Sequence, residues 1–127
     1  MSVVAPTVSG MRAQQTGTLG EQAACDALER QGYRIIHRNY RVRGGELDIV
    51  CEHGSTLVFC EVKTRTSAVF GLPEEAITAE KRRRLRRLAI EYLQREGRRA
   101  PALRFDVISV AVSDGRVGEL RHLVNAF

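Results

Sequence analysis

Two apolar segments, each interrupted by acidic residues and joined by a short polar turn, restrict this chain most. They are ELDIVCE over 46–52 and LVFCEVKT over 57–64. Both are rich in β-branched or apolar residues and predict strands, and His53-Gly54-Ser55-Thr56 predicts the hairpin between them. Asp48 stands between Leu47 and Ile49-Val50, and Glu61 between Phe59-Cys60 and Val62. A carboxylate in such surroundings is costly unless it is paired or bound to a cation. Side chains alternate along a strand, so Glu61 and Lys63 share a face. If Glu52 pairs with Leu57, Asp48 falls opposite Glu61 and joins them. A slip of one residue would send Asp48 to the other face.

The remaining elements follow from periodicity and punctuation. Leu19, Ala23, Ala27 and Leu28 recur at helical spacing and predict a helix over 19–31. Thr18 and Glu21 form a capping box in that reading, and Gly32 is the C′ residue. A strand over 33–40 and a turn over Arg41-Val42-Arg43-Gly44-Gly45 precede the hairpin. A loop over 66–78 leads to a second helix over 79–96, with Leu85, Leu88, Ala89, Tyr92 and Leu93 on one face and Gly97 at its end. Strands over 103–112 and 117–124 flank an Asp114-Gly115 turn. The order α-β-β-β-α-β-β describes an α/β fold: a mixed central sheet flanked by helices, the second helix serving as crossover. Residues 1–16 read as a disordered leader, with Met11 an alternative start, and 17–127 as a single domain. There is no signal-peptide pattern and no apolar run long enough to span a membrane. Cys25, Cys51 and Cys60 are widely spaced and predict free, buried thiols in a reducing, cytoplasmic setting.

Charge is concentrated in one place. Residues 81–99 hold nine Lys/Arg against two Glu, or +7, while the rest of the chain holds eleven against thirteen, or −2. Lys81, Arg82, Arg83, Arg84, Arg86 and Arg87 surround the apolar face of the second helix, with like charges at i,i+4. A polyanion would relieve that repulsion and release counterions on binding. Acidic neighbours such as Glu74, Glu75 and Glu80 are the alternative source of relief. A smaller cluster comprises Arg34, Arg38, Arg41 and Arg43. Few aromatics and no Trp make a base-stacking platform a poor expectation, so backbone and shape contacts are favoured.

Glu21, Asp48, Glu61 and Lys63 together carry the candidate chemistry. Carboxylate oxygens suit a hard divalent ion, which lowers the pKa of a bound water and clamps phosphate oxygens. A neighbouring lysine orients the water or neutralises the developing oxyanion. A structural ion pair of Lys63 with Asp48 or Glu61 is the alternative. Glu46 reads as a solvated or salt-bridged strand residue, and Asp106 as a structural carboxylate paired with an arginine.

With these residues in view, the chain resembles the YraN-like family of small bacterial proteins, grouped with the PD-(D/E)xK, or restriction-endonuclease-like, superfamily. The resemblance rests on TGTLGE (16–21), GYRIIHRNY (32–40), GELDIV (45–50), VFCEVKTR (58–65), residues 71–81 and RFDVI (104–108). Cys60 departs from the family's usual aliphatic residue. The resemblance implies a restriction-endonuclease-like core. It also implies Asp48, Glu61 and Glu21 as ligands of Mg²⁺ or Mn²⁺, as in Holliday-junction resolvases, and Lys63 as the superfamily lysine. The expectation is a metal-dependent endonuclease acting on DNA, branched or structured DNA included. Lys81, Arg82, Arg83, Arg86, Arg87 and Arg65 would contact the nucleic acid, no membrane would be involved, and a homodimer would be the assembly. The rival expectation is a non-catalytic nucleic-acid-binding protein on the same scaffold.

Overall fold

The structure, a computed structural model, describes residues 13–66, 77–99 and 102–127. Helix α1 spans Ala13–Arg30. Strands β1 (Arg34–Val42), β2 (Gly45–His53) and β3 (Thr56–Arg65) follow, then α2 (Ala79–Glu96), β4 (Ala102–Ser113) and β5 (Arg116–Leu123). The five strands form one sheet in sequence order, antiparallel except for the parallel β3–β4 pair, which α2 bridges. This is the element order and mixed sheet that the sequence predicts. Neither described helix is long and apolar enough to cross a membrane.

Each face of the sheet buries one helix. Ile49, Cys51, Val58, Cys60 and Ile108 pack with Ala24, Cys25 and Leu28 of α1. Val50, Leu57 and Phe59, one residue out of phase, pack with Leu85, Leu88, Ala89 and Tyr92 of α2. The two-residue alternation of the central strands therefore supplies both cores. α1 ends in a Schellman motif. Tyr33 N–H bonds the Leu28 carbonyl at 3.0 Å and Gly32 N–H bonds that of Glu29 at 3.0 Å, with Gly32 at a φ of 90° that favours glycine.

The start of α1 corrects the sequence reading. The helix begins at Ala13, so Thr18 lies inside it and cannot cap it, and Glu21 is not the third residue of a capping box. The apolar pattern starts at Leu19, but the buried stripe continues upstream through small residues: Thr16, Gly20 and Ala24 are all buried, four apart. A Cβ on Gly20 would sit 2.1 Å from Thr64 Oγ1, so this glycine lets α1 lie close against β3. The leader expectation falls on residues 1–12, outside the described residues, apart from 13–16, which are helical. Residues 67–76 of the expected loop also lie outside them. The cysteines match the expectation. All three are free and buried, but the β2–β3 hairpin brings Cys51 and Cys60 Sγ to 3.9 Å, a proximity that sequence spacing did not reveal.

Asp106 is structural, as expected, and fully buried. Arg104 grips it through Nε and Nη2 at 2.9 and 2.8 Å, His122 Nε2 lies 2.7 Å away, and Asn125 N–H donates at 2.9 Å. Burial alone would raise its pKa, but the contacts from His122, Arg104 and Asn125 outweigh it and hold the carboxyl at about 2. A group depressed below its ordinary 3.8 stabilises the fold above that pH and loses the contribution as pH falls toward 2. Urea unfolding of the wild type is expected to lose roughly 2 kcal/mol from this group between pH 4 and 2. Asp106→Asn, weaker at neutral pH, should show a shallower decline; parallel curves would contradict this account.

Candidate active site

The hairpin register decides whether the acidic residues meet. Glu52 pairs with Leu57 and Ile49 with Cys60, so Asp48 continues that register opposite Glu61. Beyond Ile49 and Cys60, the Val62 N–H donates instead to Asp48 Oδ2 at 2.9 Å. The Asp48 side chain thus takes up a β3 amide just past the last paired residues. Asp48 and Glu61 come within hydrogen-bonding range of each other there. Lys63 Nζ lies 3.7 Å from Glu61 Oε2, and both side chains are largely buried. A small cavity between the sheet and α2, lined by Leu47, Phe59, Leu85 and Phe105 along with the two acidic residues, puts apolar surface behind the pair.

Burial and the Glu61 charge push the Asp48 carboxyl up to about 7, and the Val62 N–H only partly offsets them. This is the signature of two carboxylates forced together in a desolvated place.

Glu21 reaches the same region from α1. Burial raises its carboxyl, a hydrogen bond with Asn39 opposes that, and the charges of Asp48 and Glu46 act in the same direction as burial. Glu21 therefore faces the pair but is anchored to Asn39. Among the described residues, no three His, Cys, Asp or Glu side chains close into a metal-holding group. The structure thus brings Asp48, Glu61 and Lys63 together and leaves Glu21 at the margin.

Asn39 was not singled out from the sequence. In the register that pairs Arg38 with Ile49 and Tyr40 with Leu47, it falls opposite Asp48. Its φ of 52° lies in the left-handed region, which Asn tolerates better than most residues. The only hint in the sequence is a turn-favouring Asn inside a strand-like run. Glu46 is salt-bridged, 3.7 Å from Arg41 Nε.

The basic residues divide into groups. Arg82 and Arg86 place their guanidinium groups 5.9 Å over the Phe127 ring, and Arg86 also lies 5.9 Å over that of Phe105. Arg65 Nε donates to Ser109 Oγ at 3.2 Å. Arg83, Arg84 and Arg87 are exposed and form no salt bridge among the described residues. Lys81 lies at the site itself. Lys63 lowers its pKa, as does burial, while the Glu61 charge opposes the shift.

A family model described as "Uncharacterised protein family UPF0102" matches residues 20–110. The chain belongs to this family. A UPF0102 protein of Symbiobacterium thermophilum is 50% identical over 115 residues, covering 90% of this chain and 97% of the relative. One from Syntrophomonas wolfei is 46% identical over 114 residues, covering 90% and 98%. One from Mycobacterium avium is 49% identical over 119 residues, covering 92% and 93%. UPF0102 is the YraN-like family that the sequence motifs resemble, and the matched span contains Glu21, Asp48, Glu61, Lys63 and Lys81.

An acid whose folded pKa is raised costs stability as pH climbs from its ordinary value to the raised one. For Asp48 that window runs from about 4 to about 7. Asp48→Asn keeps an acceptor for Val62 and removes the charge. In metal-free buffer it is expected to be more stable than the wild type at pH 8, by on the order of 4 kcal/mol. The gap should close toward pH 4 in denaturant melts, and a variant less stable at pH 8 would refute the electrostatic reading.

Proposed function

We propose that this UPF0102 protein is a metal-dependent endonuclease that hydrolyses phosphodiester bonds in DNA, branched or structured DNA included. One observation carries the reading: Asp48 and Glu61, from two strands of one hairpin, converge in a desolvated place beside Lys63. Their oxygens are the hard donors that Mg²⁺ or Mn²⁺ prefers, and a divalent charge would relieve the repulsion that holds Asp48 partly protonated. Asp48 and Glu61 would hold the ion, with Glu21 reaching it directly or through water. The ion supplies a hydrolytic nucleophile near neutral pH and charge for the phosphate oxygens. Lys63 orients the attacking water or neutralises charge on the phosphate. Arg83, Arg84 and Arg87 offer exposed guanidinium groups to the phosphate backbone. The buried free thiols fit a reducing, cytoplasmic setting. The superfamily resemblance adds a homodimer, since two cuts need two sites.

The second reading is a non-catalytic nucleic-acid binder. The Lys63–Glu61 ion pair favours it, because it leaves Glu61 already neutralised.

Purified protein with Mn²⁺ is to be mixed with duplex, single-stranded and four-way DNA. The wild type should cleave at least one of them, and Asp48→Ala and Glu61→Gln should each slow it by roughly 100-fold or more. Cleavage unchanged in Asp48→Ala, or absent for the wild type on every substrate, would remove the nuclease reading. Under either reading, Arg84→Ala/Arg87→Ala should weaken DNA binding and lower the salt slope by about one per lost phosphate contact.

A further inference from the structure

Two arginines of α2 lie against aromatic rings and meet no carboxylate. The guanidinium carbons of Arg82 and Arg86 stand 5.9 Å over the ring of Phe127, and that of Arg86 also stands 5.9 Å over the ring of Phe105. Neither residue forms a salt bridge among the described residues. Other arginines that lie over rings are anchored as well. Arg104, over Tyr33, donates to Asp106, and Arg95, over Tyr40, donates to the Arg41 carbonyl at 3.1 Å. Arg82 has no such anchor: its Nε is buried and has no hydrogen-bond partner among the described residues. The rings therefore orient this pair.

The rings are themselves fixed. Phe105 stacks on buried Phe59 with centroids 5.4 Å apart, and Phe127 lies 5.2 Å from Phe105. The backbone ahead of Phe127 is held to the sheet, with Asn125 N–H donating to Asp106 and Ala126 N–H to the Phe105 carbonyl at 2.7 Å. A row of three rings thus runs from the core to α2. Phe105 and Phe127 also line the small cavity that Asp48 and Glu61 line, so the rings that carry the arginines border the acidic pair.

Guanidinium chemistry gives the arrangement a use. A guanidinium can rest its face on a ring while its N–H groups, in the plane, stay available to an oxyanion. Two like charges at i,i+4 on one helix repel, and no carboxylate offsets them here. A donor kept from water without an acceptor is costly. Long side chains also lose rotamer freedom on binding, a loss already taken where a ring holds them. Each of these effects favours an anion with several oxygens.

We infer that Phe127, with Phe105 beside it, is a positioning residue that presets Arg82 and Arg86 as a seat for a backbone phosphate of nucleic acid. That the phosphate belongs to nucleic acid rests on the proposed function; the seat rests on the arginines, the rings and the unpartnered Nε. It differs from the contacts offered by Arg83, Arg84 and Arg87, whose exposed side chains must be ordered on binding.

The test uses the full chain in EDTA, so that cleavage plays no part. Fluorescence anisotropy reads the Kd of a labelled DNA duplex. Phe127→Leu, which keeps apolar bulk, should weaken binding about 5-fold or more, and Phe127→Tyr should bind as the wild type does. Arg30→Ala, at the end of α1 on the other face of the sheet, should change nothing. In an Arg82→Gln/Arg86→Gln background, Phe127→Leu should add less than about 2-fold, because its effect runs through the two arginines. Thermal melts check that each variant folds. Where the wild type binds DNA, equal weakening by Phe127→Leu in both backgrounds, or none in either, overturns the positioning role. ¹⁵N spectra of the arginine Nε–Hε groups give the second arm, with inorganic phosphate as the probe. The Arg82 signal is the one lost in Arg82→Gln. Phosphate should shift it in the wild type and shift it less in Phe127→Leu; no shift in the wild type refutes the seat. A phosphate shift in a wild type that binds no DNA upholds the seat and removes nucleic acid as its occupant.

Discussion

The hydrogen bond from the Val62 amide to Asp48 is the contact on which the site depends. In a continuing ladder that amide would serve the backbone of a neighbouring strand. Here a side chain accepts from it, just past the last paired residues of β2 and β3. The carboxyl is thereby fixed next to Glu61 in apolar surroundings, where a second negative charge is strongly disfavoured. Lys63 pairs with Glu61 of that unfavourable pair, and Asn39 holds Glu21 at the margin.

The fold makes this possible by dividing its cores. Because β2 and β3 bury both faces, their central residues are apolar in both phases, and polar groups are pushed toward the strand ends. α1 approaches β3 closely through Gly20. On β4, beside Cys60 of β3, a carboxylate is secured by different means. There Asp106 is enclosed by donors from Arg104, His122 and Asn125, so its charge is satisfied internally. A buried and a half-buried aspartate in one sheet thus meet contrary fates: Asp106 is saturated with donors and strongly acidic, while Asp48 is short of them and its carboxyl is pushed up to about 7.

Much of this was legible in the sequence. The strand pair, its register and the grouping of Asp48, Glu61 and Lys63 follow from period-two alternation and one turn. The bounds of α2 follow from its apolar stripe and Gly97. The start of α1 was not legible, because its buried stripe there consists of Thr16 and Gly20, which a search for apolar periodicity passes over. Asn39 was hidden because its role depends on a left-handed backbone inside a strand. The meeting of Cys51 with Cys60 depends on how elements or diagonal positions pack, which spacing along the chain does not encode. The folding of Arg82 and Arg86 over aromatic rings was hidden for the same reason.

The near-exclusive use of arginine on the outer surface has a consequence of its own. A guanidinium group keeps its proton at any acidity the folded chain will meet, so the attraction of that surface for a polyanion is a constant. The carboxyl at position 48 changes its charge near neutrality. Mild acidification therefore alters the charge of the interior at position 48 while that of the exterior stays as it was.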